Sequence, residues 1–230
     1  MKYLLALLVT AVTIGAMFLL SRRNSPSAEP TNPSLGQKVD PMQAKTATFA
    51  AGCFWGIESA FRKVNGVVST EVGYAGGHTQ NPTYHDVCTD TTGHAEAVRV
   101  TYDPAKVSFA ELLDAFWSCH NPTTVDRQGP DVGSQYRSVI FVSDPEQEQT
   151  ARASLKEVEA SGVFRRPIVT EVAPAGPFYR AEDYHQQYFE KAGYGQQCHV
   201  GPAKVHTRLG AHSAQKRQNA TMQPVAQNSR

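Results

Sequence analysis

The stretch Gly52-Cys53-Phe54-Trp55-Gly56 joins two segments of different periodicity. Before it, residues 48–51 form a short apolar run that predicts a strand. After it, apolar residues recur at helical spacing, which predicts an amphipathic helix that ends at Asn65-Gly66. The residues of this apolar stripe are Ile57, Ala60, Phe61 and Val64. Because Gly52 and Gly56 permit a tight turn, the stretch predicts a cysteine side chain held accessible where a strand passes into a helix.

Cys53 is the first candidate functional residue. Unpaired N–H groups at the start of a helix favour an anion, so we expect the pKa of the Cys53 thiol to fall and the reactive thiolate to be populated. Phe54 and Trp55 beside it are placed to wall an apolar pocket. The alternative is a buried, inert cysteine, the usual fate of a cysteine outside a disulfide. Position alone does not decide between the two.

Outward from this stretch, predicted strands and helices alternate along the chain. The further predicted strands cover residues 67–74, 95–102, 138–142 and 168–172. Ser108 and Glu111 form a capping box that opens one helix. Two more helices are predicted, one after Asp144-Pro145 and one over residues 181–189, whereas residues 120–136 form a long loop of a length typical of function or disorder. The mixture predicts an α+β fold with helices packed on a mixed sheet.

Glu96 is a candidate general acid because of its position in a predicted strand. It shares the strand parity of Val98, Val100 and Tyr102, so we expect it to point toward the apolar side of the sheet. Desolvation there raises the pKa of a carboxyl and keeps it protonated near neutral pH, as a general acid requires. If the parity is reversed, Glu96 is a strand carboxylate that faces solvent.

Two tyrosines and one aspartate come from segments without strong periodicity. Tyr84 and Tyr136 carry phenols that can donate hydrogen bonds to a substrate oxygen, although each alone is as well explained as a packing aromatic. Asp131 lies in the long loop and suits a turn unless its surroundings give it a role in binding.

The beginning of the chain differs from this central body. Residues 3–20 carry no charge and stand between Lys2 and Arg22-Arg23. We therefore interpret residues 1–23 as a signal peptide or membrane anchor. This interpretation predicts a protein that is exported or anchored in a membrane through residues 3–20, on the extracytoplasmic (periplasmic) side.

Two polar segments bound the expected catalytic domain, which covers residues 47–200. Residues 24–46 are rich in Pro, Ser, Asn and Gln and predict a flexible linker, and residues 201–230 predict a polar, disordered tail. The 230 residues have a formal net charge of +1, which argues against a nucleic-acid partner. We expect a monomer.

Five short motifs follow one another in the central body. They are Gly52-Cys53-Phe54-Trp55-Gly56, Gly73-Tyr74 with Gly76-Gly77, Asn81-Pro82-Thr83-Tyr84, Gly93-His94-Ala95-Glu96-Ala97 and Gln135-Tyr136-Arg137-Ser138. Together they resemble the peptide methionine sulfoxide reductases of the A type, and the run over residues 183–188 is also similar to that family. The resemblance covers about residues 48–198, and motifs in this order are far more specific than any one of them.

The resemblance implies a two-layer α/β sandwich and an enzyme that reduces the S epimer of methionine sulfoxide, free or in proteins. In this chemistry Cys53 attacks the sulfoxide sulfur, while Glu96, Tyr84 and Tyr136 handle its oxygen. The residues expected to bind the substrate are Phe54, Trp55 and Asp131. The resemblance also implies recycling by a thioredoxin-type reductant and neither a metal nor an organic cofactor.

The sulfenic acid left on Cys53 needs a second thiol, which condenses with it to form a disulfide that a reductant opens. Cys198 lies near the tail, and by resemblance the resolving cysteine of the family is in this C-terminal region. The family's commonest tail is rich in glycine and has two cysteines, whereas this one has a single cysteine, which excludes a relay through a second. Cys88, close to Tyr84, is the competing candidate, and Cys119 is interpreted as a packing residue.

Two other classes of protein could use the same residues. A zinc protein would draw on the cysteines and histidines, but no two cysteines are as close in sequence as structural zinc sites usually require. A cysteine hydrolase would pair Cys53 with His94 or His185 as its base. That reading leaves Glu96 and the two tyrosines without a role.

Overall fold

Six strands form one mixed sheet in the part of the chain that the computed structural model describes, residues 32–40, 42–193 and 204–222. In chain order the strands are β1 (Lys45–Ala51), β2 (Val67–Ala75), β3 (Ala95–Tyr102), β4 (Arg127–Gln128), β5 (Asp131–Val132), β6 (Ser138–Val142), β7 (Glu171–Pro174) and β8 (Phe178–Arg180). The order across the sheet is β7-β6-β1-β3-β2-β8, with only the pair β6 and β7 parallel. β4 and β5 form a separate hairpin inside the long loop.

The helices are numbered in the same way. They are α1 (Phe54–Arg62), α2 (Tyr84–Cys88), α3 (Phe109–Cys119), α4 (Pro145–Ser161), α5 (Tyr188–Lys191) and α6 (Arg208–Met222), with a 3₁₀ turn at Ser134–Tyr136. The predicted capping box opens α3: the Ser108 hydroxyl accepts from the Glu111 N–H, and the Glu111 carboxylate accepts from the Ser108 N–H. Asp144 caps α4 by accepting from the Gln147 N–H, at the place the sequence predicts.

The main core lies between one face of the sheet and the helices α1, α3 and α4. At its centre the Phe49 ring of β1 stacks on Phe61 of α1 and Phe116 of α3, with ring centroids 4.8 and 5.4 Å apart. Burial of each such ring contributes about 1.5–3 kcal/mol. The opposite face of the sheet carries a smaller apolar cluster, which includes Ala50, Ala95, Ala97 and Phe141. The aromatic layer therefore fixes α1, and with it Cys53, against the sheet.

Helices packed on a mixed sheet confirm the predicted α+β class. One strand is displaced, because β7 begins at Glu171 whereas the sequence predicts a strand over residues 168–172. The preceding residues have another partner: the Val169 N–H donates to the Pro122 carbonyl in the long loop, 2.8 Å away. Pairing with β6 starts only after this contact.

The helix predicted over residues 181–189 is wrong. Residues 183–187 form turns, and only α5 is helical. Gln187 adopts a left-handed backbone with φ of 49°, which a right-handed helix does not accommodate. The Gln186 side chain instead bonds the N–H and the carbonyl of Val72 on β2, both at 2.9 Å. In this segment, hydrogen bonds to the sheet replace the backbone hydrogen bonds of a helix.

The prediction of a disordered tail over residues 201–230 is wrong for α6, which packs on α3. The N–H and hydroxyl of Thr207 donate to Asp114 at 3.0 and 2.7 Å, and Arg217 pairs with Glu111. Because these anchoring contacts are polar, apolar periodicity in the sequence does not reveal them.

The linker predicted over residues 24–46 is likewise wrong from Asn32 onward. The Asn32 side chain is buried and donates to the carbonyls of Val64 and Val67 at 2.6 and 2.9 Å. The rest of that segment before Asn32, and the signal peptide or anchor predicted over residues 1–23, lie outside the described residues. Within the described ranges, no helix combines the length and the apolar character needed to cross a membrane.

Candidate active site

Cys53 stands where β1 passes into α1, as the N-cap of the helix, and its side chain is partly exposed. Gly52 before it has φ of +99°, and a Cβ there would lie 2.6 Å from the Gln128 side chain. Gln128 bonds the backbone N–H and carbonyl of Asn121 at 3.0 and 3.1 Å, so the long loop is braced directly against this turn. The glycine is therefore required by the close approach of the loop as well as by the turn.

Glu96 of β3 lies at the start of α1. Its carboxylate accepts a hydrogen bond from the Phe54 N–H at 2.9 Å, and the side chain is on the core face with Val98, as strand parity predicts. Burial raises the pKa of Glu96 to about 8; the Phe54 N–H opposes this shift, and the charge of Asp131 adds to it. Glu96 is therefore mostly protonated at neutral pH.

The prediction that the helix start lowers the pKa of Cys53 is wrong. Burial raises the pKa of the thiol to about 12, and the charges of Glu96 and Asp131 act in the same direction. The backbone N–H groups of Trp55 and Gly56 favour the thiolate but do not outweigh burial. The thiol is therefore protonated in the substrate-free protein, and its attack requires a group that takes up its proton.

Tyr84 and Tyr136 approach Glu96 from two different elements. Tyr84 is the first residue of α2, and Tyr136 ends the 3₁₀ turn. Burial raises the pKa of both phenols; for Tyr84 a hydrogen bond with Cys88 adds to this, and the charge of Glu96 raises both. Both phenols therefore keep their protons at neutral pH and can donate hydrogen bonds.

A cavity of about 230 Å³ opens beside Cys53. The residues that line it include Cys53, Trp55, Ile57, Asp131 and Phe189. The structure thus brings Trp55 and Asp131, both predicted to bind substrate, together with the thiol. Phe54 is buried, and its ring packs on Tyr74 and His185 with centroids 6.0 and 5.0 Å apart. A direct contact between Phe54 and a substrate stays a prediction.

Residues 182–189 contribute to the site in a way that the sequence reasoning missed. The Glu182 carboxylate accepts from the Tyr84 N–H at 2.9 Å. His185 Nδ1 accepts from Trp55 Nε1 at 3.0 Å, and the Tyr188 ring stacks on Trp55 with centroids 3.7 Å apart. The sequence signals for this segment are a dense run of polar and aromatic residues without an apolar stripe and the resemblance of residues 183–188 to the family, and neither assigns these contacts.

The cysteines lie in different surroundings. Cys88 ends α2, is exposed, and interacts with the Tyr84 hydroxyl. Cys119 is buried in α3 and donates to the Phe116 carbonyl at 3.2 Å, which agrees with a packing role. Cys198 lies outside the described residues, so the choice between Cys198 and Cys88 as resolving cysteine stays a prediction.

Neither histidine named for a hydrolase is available as a base for Cys53. The His94 ring accepts from the Gly77 N–H at 3.0 Å and bonds the Thr79 carbonyl at 2.9 Å. His185 is held by Trp55. In the residues that the structure describes, no group of three or more His, Cys, Asp or Glu side chains is arranged to hold a metal ion.

A protonated thiol next to a protonated carboxyl, with both nearby histidines committed elsewhere, suits oxygen transfer to sulfur better than hydrolysis. Fold and site together define a thiol-dependent oxidoreductase.

Comparisons with known proteins show which family of such enzymes the chain belongs to. The family model described as peptide methionine sulfoxide reductase matches residues 45–218. The peptide methionine sulfoxide reductase MsrA of Methanoculleus marisnigri is 67% identical over 150 residues, which are 65% of this chain and 92% of that protein. MsrA of Methanosarcina mazei is 59% identical over 177 residues, or 75% of this chain and 81% of that protein.

A solved structure agrees with the sequence comparisons. Methionine sulfoxide reductase A of Corynebacterium diphtheriae superposes with a TM-score of 0.62 and 41% identity, over 74% of this chain and 84% of that one. The chain therefore belongs to the peptide methionine sulfoxide reductase family, whose members reduce methionine sulfoxide to methionine.

Proposed function

We propose that Cys53 is the nucleophile and Glu96 the general acid in the reduction of the S epimer of methionine sulfoxide, free or in proteins. The observation that carries this assignment is the state of Glu96, which is buried at the start of α1 with a pKa of about 8. A sulfoxide oxygen is a poor leaving group, so attack at sulfur requires a proton for that oxygen in the same step. Glu96 holds such a proton at neutral pH.

The first step balances without an external acid. As the Cys53 sulfur attacks, Glu96 passes its proton to the sulfoxide oxygen, and the thiol proton restores the Glu96 carboxyl. The bond that this attack forms between the two sulfurs breaks again as the protonated oxygen moves from the substrate sulfur to the Cys53 sulfur, where it ends as the hydroxyl of a sulfenic acid. The substrate sulfur gains two electrons and becomes methionine, and the Cys53 sulfur loses two.

The remaining groups of the site hold the substrate. Tyr84 and Tyr136 donate hydrogen bonds to the sulfoxide oxygen, since both phenols keep their protons near Glu96. Trp55 lines the cavity beside the thiol and receives the methyl group, with Asp131 and Phe54 as further substrate-binding residues.

Recycling uses a second thiol and a dithiol reductant. The Cys198 thiol condenses with the sulfenic acid, which gives a disulfide with Cys53 and releases water. A thioredoxin-type dithiol opens this disulfide by two exchange reactions and is itself oxidised. Cys88 is the alternative, since it lies next to Tyr84. This cycle needs no metal or organic cofactor.

The enzyme acts as an exported or membrane-anchored monomer. The uncharged residues 3–20, flanked by Lys2 and Arg22-Arg23, support this part of the proposal. Outside the cytoplasm the enzyme cannot use cytosolic thioredoxin directly, so its electrons must arrive through a membrane relay.

The two epimers of methionine sulfoxide test the proposal directly. The purified protein is supplied with dithiothreitol and each epimer in turn, and methionine formation is measured. We expect turnover of the S epimer and none of the R epimer. Equal turnover of both, or of the R epimer alone, contradicts the proposed function.

A further inference from the structure

We infer that His185 is a positioning residue that holds the two walls of the active site, Trp55 and Tyr84, at a fixed separation. This inference rests on the proposed roles of those residues in holding the methyl group and the oxygen of the substrate. His185 touches neither the substrate nor Cys53 in this scheme; it acts through its neighbours.

One buried side chain contacts three residues of the proposed site. His185 exposes only 1% of its surface. Its Nδ1 accepts a hydrogen bond from Trp55 Nε1 at 3.0 Å. Its ring centroid lies 4.6 Å from that of Tyr84 and 5.0 Å from that of Phe54. A displacement of the imidazole would therefore disturb its contacts with all three side chains.

The hydrogen bond to Trp55 is maintained although it leaves another group of the same ring unsatisfied. Because Nδ1 accepts, the neutral ring carries its proton on Nε2. Among the residues that the structure describes, the buried Nε2 has no hydrogen-bond partner, and a carboxylate oxygen of Glu182 is 3.9 Å away. Buried donors without acceptors are rare and destabilising, and an apolar side chain would fill this space without one. What an apolar side chain cannot supply is the acceptor for Trp55.

The other contacts of Trp55 do not replace this hydrogen bond. Tyr188 stacks on the indole at 3.7 Å between centroids with an interplanar angle of 10°, and Phe189 meets it at 66°. Parallel stacking restrains the tilt of a ring but permits it to slide and rotate in its own plane. A directional hydrogen bond to the indole N–H stops that motion.

The same turn also anchors the backbone of Tyr84 on the other side of the site. Glu182, in the turn that carries His185, accepts from the Tyr84 N–H at 2.9 Å. A sulfoxide sulfur carries its methyl group and its oxygen in different directions, so productive binding needs both walls at a set separation. The turn over residues 182–185 ties the two walls to each other.

The test replaces the acceptor and the ring separately in the full-length, reduced protein. His185→Phe keeps a planar ring against Tyr84 and removes the acceptor, whereas His185→Asn has a side-chain oxygen close to the position of Nδ1. Single-turnover reduction of methionine S-sulfoxide is measured across substrate concentrations. We expect His185→Phe to weaken substrate binding by about 3- to 10-fold, as for one lost hydrogen bond, and His185→Asn to restore most of it.

Combination with Trp55→Phe shows whether the effect passes through the indole. In the Trp55→Phe background, His185→Phe should cause no further loss, because the bond it removes no longer exists. An equal loss in both backgrounds, or no recovery with His185→Asn, would overturn the inference and make His185 a packing residue. If His185→Phe does not fold, His185→Leu takes its place in the cycle.

A fluorescence measurement separates this inference from the proposed function. The chain has two tryptophans, so the emission of Trp55 is obtained as the difference between the wild type and Trp55→Phe. Loss of the indole hydrogen bond in His185→Phe should shift that difference spectrum, and His185→Asn should restore it. An unchanged spectrum refutes the contact even if the enzyme turns over, whereas failure of the proposed function would appear as wild-type protein without turnover.

Discussion

Glu58 in helix α1 and Glu96 on strand β3, which lies beside the start of that helix, are buried to the same extent, yet their surroundings differ. Their exposed fractions are 1% and 2%. Glu58 accepts from the Thr70 hydroxyl at 2.9 Å and from the Gln187 N–H at 2.7 Å. Within the described part of the chain, Glu96 accepts a hydrogen bond from the Phe54 N–H alone. The Glu58 carboxylate thus ties three segments together, while the Glu96 carboxylate has this one donor among those residues.

The difference teaches that burial alone does not make a catalytic acid. Burial raises the pKa of Glu58, but hydrogen bonds from Thr70 and Gln187 and the charge of Arg62 oppose it. At Glu96 the charge of Asp131 adds to burial, and the pKa reaches about 8. The supply of donors and cations decides whether a buried carboxyl serves as an anchor or keeps a proton to transfer.

The largest effect is expected from removal of the Cys53 thiol, the nucleophile that acts together with Glu96. Cys53→Ser should abolish reduction of methionine sulfoxide with any reductant, because a serine hydroxyl cannot form the sulfenic acid. Methionine formation in a single turnover is the measurement. Cys119→Ala, which removes a thiol buried in the core, is the control and should keep the rate. Activity in purified Cys53→Ser would show that Cys53 is not the nucleophile and that Glu96 does not lie beside the reacting thiol.

The next largest effect is expected from removal of the proposed resolving thiol, which should stop recycling of the enzyme without changing the reduction of the substrate. Cys198→Ser should leave a single turnover intact, since that step needs only Cys53 and the acid. Repeated turnover with thioredoxin should stop, and a small dithiol should partly restore it by attacking the sulfenic acid. Mass spectrometry of the oxidised wild type after non-reducing digestion checks the pairing. A disulfide between Cys53 and Cys88 as the main species would show that Cys88 resolves.

Substitution of the two glutamates should have different effects on the rate of sulfoxide reduction. Glu96→Gln should slow the single-turnover reduction by about 10²-fold, as expected for a lost general acid. The wild-type rate should fall as the pH rises through about 8, where Glu96 loses its proton, and the variant should lack this decline. Glu58→Gln is the matched control and should change the rate by less than about tenfold, because it removes no proton donor. Equal losses in the two variants would end the distinction between them.

The smallest effects are on stability, and they should have opposite signs. The folded pKa of Glu96, about 8, is above its ordinary value of 4.5. The stability that the neutral carboxyl contributes to the folded state is therefore fully present below pH 4.5 and is lost as the pH rises from 4.5 through about 8. Glu96→Gln should therefore gain stability relative to the wild type between these pH values. Glu58→Gln should lose about 1–3 kcal/mol at pH 7, because its amide cannot accept from both Thr70 and Gln187.

Thermal unfolding of both variants at pH 5 and pH 8.5 is the measurement. If Glu96→Gln loses stability as the pH rises in the same way as the wild type, then the carboxyl is not held in its acid form by the fold.

Local patterns in the sequence predicted much of the fold and of the site. The capping box at Ser108 and the N-cap at Asp144 are both present, because these signals act between residues one turn apart. Strand parity placed Glu96 on the core face, since alternation in a strand is fixed by the backbone itself. The glycines around Cys53 predicted the turn from strand to helix.

What the tertiary structure decided came from elements far apart in the chain. The pKa of Cys53 rises mainly because the fold buries the thiol, and the charges of Glu96 on β3 and Asp131 in the long loop add to this; the local effect of the helix start is weaker than burial. The turn with His185 replaces the predicted helix because the side chains of His185 and Gln186 and the backbone N–H of Gln187 find partners on α1 and β2. Short-range sequence patterns fix backbone geometry within a few residues, whereas desolvation and charge depend on whatever the fold packs alongside.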